Sequence, residues 1–241
     1  MPNHVKNILK FEGTEEDIKN IVAKFGTEVP LPPARAFDNS LIYQNAKGRI
    51  GWYDEGKQQF TRRKVGDFNT HIVTKKIPKG FEQRMEGGYF HFPDFEKVIP
   101  QPENIFRGNL GKEEEEMCAR EGRPTWYDWN RVHWGTKWNS YSIKKESETE
   151  YSFETAWNAV SNIVETMSRA FPNMTIHYTY ADEDFSYNCG EITYRNGLIE
   201  LNIPEGGTLE AQEIALKVRP EYRNDMVLVD GLYKWKDDIE D

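Results

Sequence analysis

The sequence predicts an α+β fold built on an antiparallel sheet, and three features of the chain support this prediction. Residues 1–26 combine a strand-like run with an amphipathic helix pattern. The C-terminal half has the order strand, helix, strand, strand, which fits half of a split βαβ unit. The pair Asn196-Gly197 lies between two apolar runs, a strong signal for a tight hairpin turn. We therefore expect a ferredoxin-like antiparallel sheet with helices on one face, together with an irregular basic insertion.

The N-terminal strand and helix have clear boundaries. The run VKNILKF alternates apolar and polar residues and predicts a strand. Thr14 opens a capping-box pattern in which Asp17 stands where Glu or Gln is usual, and Gly26 occupies the position favoured for a left-handed C-cap. The apolar stripe of the helix consists of Ile18, Ile21, Val22 and Phe25. This strand and helix either complete the split βαβ unit or form a smaller domain of their own.

Residues 27–88 predict an irregular insertion with short hairpins. The prolines of EVPLPPARAF exclude a helix there, and the strand-like runs that follow are joined by glycine and polar residues. Residues 44–86 contain ten Lys and Arg against five Asp and Glu, a net charge of +5, whereas the whole chain carries −9. This excess of cations suits a local contact with an anionic partner, and a solvated hairpin face is the simpler alternative.

The C-terminal half contains the most regular patterns. Residues 110–121 predict a solvated acidic helix that ends at Gly122. An apolar stripe predicts a helix of about four turns and consists of Trp157, Val160, Val164, Met167 and Phe171. Alternating runs predict strands at 137–144, 150–155 and 174–181, and residues 208–218 predict a last helix. The predicted domains are a ferredoxin-like body at 1–26 and 89–218, the insertion at 27–88, and a terminal hairpin with an acidic tail at 219–241.

Composition and missing motifs narrow the function classes. No stretch approaches the ~20 apolar residues of a membrane span, and the N-terminus lacks the pattern of a secretory signal, so we expect a cytoplasmic protein without membrane partners. The phosphate-binding and hydrolase motifs GxxxxGKS/T, GxGxxG, GxSxG and HExxH do not occur. Neither Cys118 nor Cys189 nor any histidine has the spacing of metal ligands. We expect no cofactor and no metal site.

The tryptophan-rich segment WYDWNRVHWGTKWN is one candidate for a functional site. Trp126, Trp129 and His133 are its candidates for a partner-binding surface, because exposed aromatic rings can stack on unpaired bases or on a protein partner. Core packing is the favoured alternative, in which Trp134 and Trp138 pack against the sheet while Trp126 and Trp129 stay partly exposed.

Two clusters of charged residues are further candidates. The basic candidates for an anionic partner are Arg62, Arg63, Lys64, Lys75 and Lys76. The acidic candidates follow a strand and are Asp182, Glu183 and Asp184. Paired carboxylates can serve acid–base chemistry when burial separates their pKa values, here with His177 or His133 as the partner. A solvated turn is the favoured alternative for this acidic cluster.

Five segments of the sequence resemble an uncharacterised family carried by phages, plasmids and related mobile elements. They are MPNHV, FEKVIPQPENI, WYDWNRVHWGTKWN, FETAW and YADEDFSYNCGEI, within residues 1–26 and about 89–195. The C-terminal part of that family is described as a ferredoxin-like domain of Api-like proteins. The resemblance implies this fold, and it implies no established activity or catalytic residue. Residues 27–88 depart from the family as an extra insertion, and TAWNAV lacks the prolines expected after TAW.

These observations favour a non-enzymatic accessory protein of a phage or mobile element that binds a host macromolecule. The partner would be a host protein or nucleoprotein complex, and inhibition of a host defence, of the anti-CRISPR type, is one form of this hypothesis. The alternative is a single-stranded nucleic-acid-binding module, because ferredoxin-like sheets can present aromatic side chains to unpaired bases. A second alternative is an enzyme that uses the acidic cluster. The sequence does not indicate the oligomeric state.

Overall fold

The computed structural model describes residues 3–30, 33, 35–36, 38–65, 67–84, 88–196 and 198–239. The chain forms two compact units, the main unit of Met1–Thr27 with His91–Asp241 and the inserted unit of Glu28–Phe90. The helices are α1 (Glu15–Phe25), α2 (Phe95–Val98), α3 (Lys112–Glu121), α4 (Trp126–His133), α5 (Ser161–Ala170) and α6 (Leu209–Val218). The strands are β1 (His4–Glu12), β2 (Thr27–Pro30), β3 (Leu41–Asn45), β4 (Ile50–Asp54), β5 (Gln59–Lys64), β6 (Asp67–Thr74), β7 (Phe81–Gln83), β8 (Gly88–His91), β9 (Tyr141–Lys145), β10 (Glu150–Ala156), β11 (Thr175–Asp182), β12 (Cys189–Arg195), β13 (Leu198–Asn202), β14 (Met226–Val229) and β15 (Leu232–Trp235).

The main unit contains a six-stranded antiparallel sheet in the order β13-β12-β11-β1-β10-β9. The central strand β1 is antiparallel to both neighbours, with Asn7 opposite Phe153 of β10 and Tyr180 of β11. Strands β10 and β11 are therefore parallel to each other and are joined through α5, with β1 between them. This is the split βαβ arrangement, so the N-terminal strand and helix complete the ferredoxin-like fold. The β12–β13 hairpin widens the sheet beyond β11.

The main core lies on the face of the sheet that carries α1 and α5. Val5, Leu9 and Phe11 alternate along β1 and are buried, as the sequence predicts. Thr14 caps helix α1, because its side chain accepts a hydrogen bond from the Asp17 amide, and the helix packs its apolar stripe into the same core. The chain thus buries one face of each of these two elements in a single cluster.

A polar cluster lies inside this core and connects three strands with a helix. The Tyr178 hydroxyl on β11 donates to Asn7 Oδ1 on β1 at 2.6 Å and accepts from the Val160 amide at 2.8 Å. Asn7 Nδ2 donates to Thr155 Oγ1 on β10 at 2.9 Å. Val160 is the N-cap residue of α5 and has no side-chain cap, so the Tyr178 hydroxyl satisfies an amide at the helix start. Burial raises the pKa of Tyr178 well above its ordinary value, so this hydroxyl keeps its proton.

The prediction that helices occupy one face of the sheet is wrong for α6. Helix α6 packs on the opposite face, where Ala211, Ala215 and Val218 form a second apolar cluster with Ala181 and Cys189. The predicted helix at 208–218 is confirmed as Leu209–Val218, and Thr208 caps it. The small side chains of this cluster let the helix approach the sheet closely. In the sequence, they give a much weaker alternation of apolar and polar residues than the large residues of the main core do.

The boundaries of two predicted elements and one predicted backbone conformation in the main unit are wrong. Helix α5 covers only Ser161–Ala170, because Trp157 has a left-handed backbone (φ 73°) that cannot belong to a helix. Gly26 is extended (φ −109°, ψ 162°) rather than left-handed, since the chain enters β2 directly after it. Strand β9 begins at Tyr141, not at residue 137.

Other predicted elements of the main unit are confirmed. Helix α3 ends at Gly122 with the left-handed backbone of a C-cap (φ 61°), and β14 pairs with β15 as a terminal hairpin. Gly197 of the β12–β13 turn and Glu240 and Asp241 of the acidic tail lie outside the described residues. Among the helices of the described chain, none combines the length and the apolar character needed to cross a membrane.

The inserted unit is a regular antiparallel sheet, where the sequence predicts an irregular segment at 27–88. Its five strands have the order β6-β5-β4-β3-β7. Phe60 is fully buried, and a Cβ on Gly51 would lie 2.1 Å from its Cζ, so only glycine fits opposite this ring. Asn45 and Asp54 accept backbone amide bonds within the two connecting turns, which fixes the register of β3, β4 and β5. Strands β2 and β8 pair with each other where the chain enters and leaves this unit.

Candidate nucleic-acid interface

A cationic groove of about 490 Å³ lies at one end of the β4–β5 hairpin of the inserted unit. Its charged lining residues are Arg49, Arg62, Arg63 and Lys64, and its aromatic lining residue is Trp52. Among the side chains that the structure describes, no carboxylate lines this groove. Within the described part of the chain, none of the four cationic side chains forms an ion pair. Their charge is therefore available to an anionic ligand.

The hairpin register places these side chains at one end of the hairpin, on both faces of the sheet. Arg62 on β5 lies opposite Gly51 on β4, and Thr61 lies opposite Trp52. Because side chains alternate along a strand, Arg63 shares the face of Thr61 and Trp52, whereas Arg62 shares the face of the buried Phe60. Strand β5 continues from Phe60 to Lys64. Its cationic side chains therefore lie at the end of the strand that is distant from the β4–β5 turn.

A second groove of about 500 Å³ lies beside the first and shares Trp52 and Arg63 with it. It is lined by hydrogen-bonding side chains that include Asp38, Asp54 and His71. Hydrogen bonds from the side chain and amide of Ser40 hold the pKa of Asp38 below its ordinary value, and Lys57 does the same for the pKa of Asp54. Both carboxylates are ionised at neutral pH, so an anion is favoured in the first groove and not in the second.

The predicted basic candidates fall into two places. Arg62, Arg63 and Lys64 line the cationic groove, whereas Lys75 and Lys76 follow β6 and line neither groove. The sequence prediction missed Trp52 and Arg49, because their contribution depends on the pairing of β4 with β5. Turn-forming residues occur at 45–48 and again at 54–57, and these two turns could have been used to predict the pairing of β4 with β5.

The tryptophan-rich segment forms α4 and the loop after it, and its rings divide between core and surface. Trp134 is 4% exposed and donates from Nε1 to the Ile99 carbonyl, so the prediction that it packs in the core is confirmed. Trp138 is 38% exposed and precedes β9, so the prediction that it packs against the sheet is wrong. Trp126 and Trp129 are half-buried, and His133 stacks on Trp129 with ring centroids 4.1 Å apart.

In the acidic cluster, Asp182 is buried and holds the loop after β11 through hydrogen bonds. Asp182 is 4% exposed and accepts hydrogen bonds from Asn3 Nδ2, the Asp184 amide and Asn188 Nδ2, at 3.2, 3.0 and 2.9 Å. Glu183 and Asp184 are exposed on the loop that Asp182 holds together.

Neither proposed histidine partner lies beside this cluster. His177 lies near the other end of β11, where its ring bonds to Glu12 Oε2 at 3.2 Å and Thr193 Oγ1 at 3.3 Å. The His133 ring Nδ1 lies 2.8 Å from the Trp129 carbonyl oxygen on α4. In the described residues, no group of three or more His, Cys, Asp and Glu side chains is arranged to hold a metal ion.

Comparison with known proteins gives a family match to part of the main unit. Residues 133–219 match the model of a family described as the ferredoxin-like domain in Api92-like protein. A crystal structure of a protein api92 from Yersinia pseudotuberculosis aligns over 85% of this chain and 99% of that chain, with 10% identity and a TM-score of 0.39. No curated protein sequence matches this chain. The match confirms a ferredoxin-like domain in the C-terminal part, and it includes none of the residues that line the two grooves.

Proposed function

We propose that this chain is a non-enzymatic binding protein whose inserted unit binds single-stranded nucleic acid in the cationic groove. The supporting observation is a groove that Arg49, Arg62, Arg63 and Lys64 line together with Trp52, with no carboxylate among its described lining residues. Lys and Arg side chains gain affinity for phosphates by releasing condensed counterions. Trp52 is half-buried and lines the groove, and an aromatic side chain adds about 1–3 kcal/mol for each base that stacks on it.

A single strand fits this surface better than a duplex does. Its unpaired bases expose the faces that Trp52 can stack on, whereas a duplex hides those faces between neighbouring base pairs. The cationic surface is also short. The inserted unit carries eleven Lys and Arg against seven Asp and Glu, a net charge of +4, and the rest of the chain therefore carries −13. An acidic main unit repels the extended phosphate surface of a duplex.

The test is fluorescence anisotropy with a labelled twelve-nucleotide single strand, measured over a series of salt concentrations. The variant Arg62→Ala/Lys64→Ala removes two groove cations, and Lys75→Ala/Lys76→Ala removes the same charge outside the grooves. We expect the groove variant to lose at least tenfold in affinity and to reduce the slope of log K against log salt by about 1.4, at about 0.7 per phosphate contact. Equal losses for the two variants would show that the groove is not the binding site.

A second proposal is that the protein acts as an accessory factor of a mobile element and binds a host macromolecule through its acidic main unit. The charge of −13 outside the inserted unit favours this, because an acidic surface can compete for the cationic grooves of nucleic-acid-binding proteins. A tagged pull-down from host lysate, with and without nuclease, separates the two proposals. A stoichiometric protein partner that survives nuclease supports the second, and recovery that depends on nucleic acid supports the first.

A further inference from the structure

A lysine of the main unit lies among three aromatic rings. Lys137 Nζ is 4.5 Å from the ring centroid of Trp138, 5.4 Å from that of Trp157 and 5.7 Å from that of Tyr127. All three distances are within the ~6 Å at which a ring face attracts a cation. We call these three rings the aromatic cage. In the described residues, Lys137 has no carboxylate partner, so the rings are what stabilises its charge.

The surrounding backbone holds the aromatic cage in place. Trp157 has a positive φ of 73°, an unfavourable conformation for a bulky residue that persists only where neighbouring groups enforce it. Its amide donates to the Asn3 carbonyl at 2.9 Å, and its own carbonyl accepts from Asn188 Nδ2 at 2.9 Å. On the other side, the buried Asn130 donates from Nδ2 to the Lys137 carbonyl at 3.0 Å. The backbone at Trp157 and at Lys137 is thus fixed by hydrogen bonds that do not involve the Lys137 ammonium.

We propose that Tyr127, Trp138 and Trp157 form a binding site for a quaternary or methylated ammonium group, and that Lys137 is an internal occupant that such a group displaces. A primary ammonium is strongly hydrated, so Lys137 gains hydration when it leaves the rings. A quaternary ammonium loses little hydration and presents apolar methyl groups to the ring faces. Trp138 is 38% exposed, so the aromatic cage opens to solvent.

The occupancy by Lys137 lowers the apparent affinity for an external ligand. Lys137 is adjacent in sequence to Trp138, so it competes at the high effective concentration of an intramolecular group. The site is competent only in the fraction of molecules whose lysine has left the rings. Removal of the lysine side chain therefore strengthens binding, although it also removes part of the wall of the aromatic cage. A lysine that contacts the ligand would show the opposite effect, because its removal would weaken binding.

The experiment measures choline binding by tryptophan fluorescence or by NMR of the indole N–H groups. The probe pair is choline and its neutral isostere 3,3-dimethylbutan-1-ol, which has the same shape without the charge. The variants are Lys137→Ala, Lys137→Met (which keeps a long neutral side chain), and Lys137→Ala combined with Trp138→Leu. Lys144→Ala removes a lysine that is paired with Glu146 outside the aromatic cage and serves as the matched control.

We expect Lys137→Ala to bind choline about tenfold more tightly than the unmodified protein, and Lys144→Ala to leave the affinity unchanged. Addition of Trp138→Leu to Lys137→Ala removes one of the three rings and reverses most of this gain. Thermal unfolding of each variant shows whether it folds, and Lys137→Met provides the same comparison if the alanine variant does not. Unchanged choline affinity in a folded Lys137 variant, or equal binding of the neutral isostere, would overturn the proposal.

Discussion

Removal of the Tyr178 hydroxyl group tests how much the buried polar cluster stabilises the main unit. Replacement of this residue by phenylalanine removes one oxygen and leaves the ring, which is fully buried, in its place. The oxygen donates to Asn7 Oδ1 at 2.6 Å and accepts from the Val160 amide at 2.8 Å. The substitution therefore leaves a buried acceptor on β1 and a buried donor at the start of α5 without partners.

Each unsatisfied buried polar group costs about 1–3 kcal/mol, so with two such groups Tyr178→Phe should lower the free energy of unfolding by about 2–6 kcal/mol. Tyr180→Phe is the matched control, because its ring stacks on that of Tyr178 with centroids 5.4 Å apart and it is 6% exposed. Among the described residues, the Tyr180 hydroxyl has no hydrogen bond to lose, and we expect its removal to cost less than about 1 kcal/mol.

Urea unfolding followed by tryptophan fluorescence measures the difference between the two variants. Six of the seven tryptophans lie in the main unit, so this signal reports mainly on its unfolding. A loss for Tyr178→Phe within about 0.5 kcal/mol of that for Tyr180→Phe would refute the reasoning. Such a result would mean that water or a small backbone shift replaces the lost hydrogen bonds.

Three other predictions concern separate parts of the molecule. Gly51→Ala should unfold or loosen the inserted unit, because the new Cβ would lie 2.1 Å from Phe60 Cζ; faster amide exchange in 41–74 with unchanged exchange in β1 is the expected result. Asp182→Ala should lower the free energy of unfolding by about 2–4 kcal/mol, since three donors lose their acceptor, while Asp184→Ala on the exposed side of the loop changes it by less than about 0.5 kcal/mol; thermal unfolding compares the two. Burial raises the pKa of the Cys189 thiol to about 11, so at pH 8 the thiolate fraction is small and this residue should react with a thiol reagent only after unfolding; rapid labelling of the folded protein at Cys189 would contradict this.

Elements with strong local patterns could be predicted from the sequence. The alternation in β1, the Thr14 and Thr208 caps and the C-cap at Gly122 each depend on a few neighbouring residues, and the structure contains all of them. The two ends of α5 could not be predicted in this way. Trp157 continues the apolar spacing of the helix, but its left-handed backbone is enforced by Asn3 and Asn188, which are distant in sequence.

The candidate binding sites depend on contacts that the sequence does not display. The cationic groove could be predicted in part, since Arg62, Arg63 and Lys64 are adjacent in the chain, but the position of Trp52 depends on the β4–β5 register. The aromatic cage joins rings from α4, from the loop before β9 and from the residue that follows β10. Spacing along one element cannot reveal such a site, because its geometry is set by how separate segments pack.

The pairing of strands β2 and β8 affects how the inserted unit can change during evolution. The inserted unit begins and ends at a single two-stranded neck, so the exit and the return of the chain lie side by side. Segments with adjacent ends can be lengthened, shortened or exchanged with little effect on the domain that carries them. Residues 28–90 therefore lie where changes in length or sequence are expected to leave the split βαβ fold of the main unit intact.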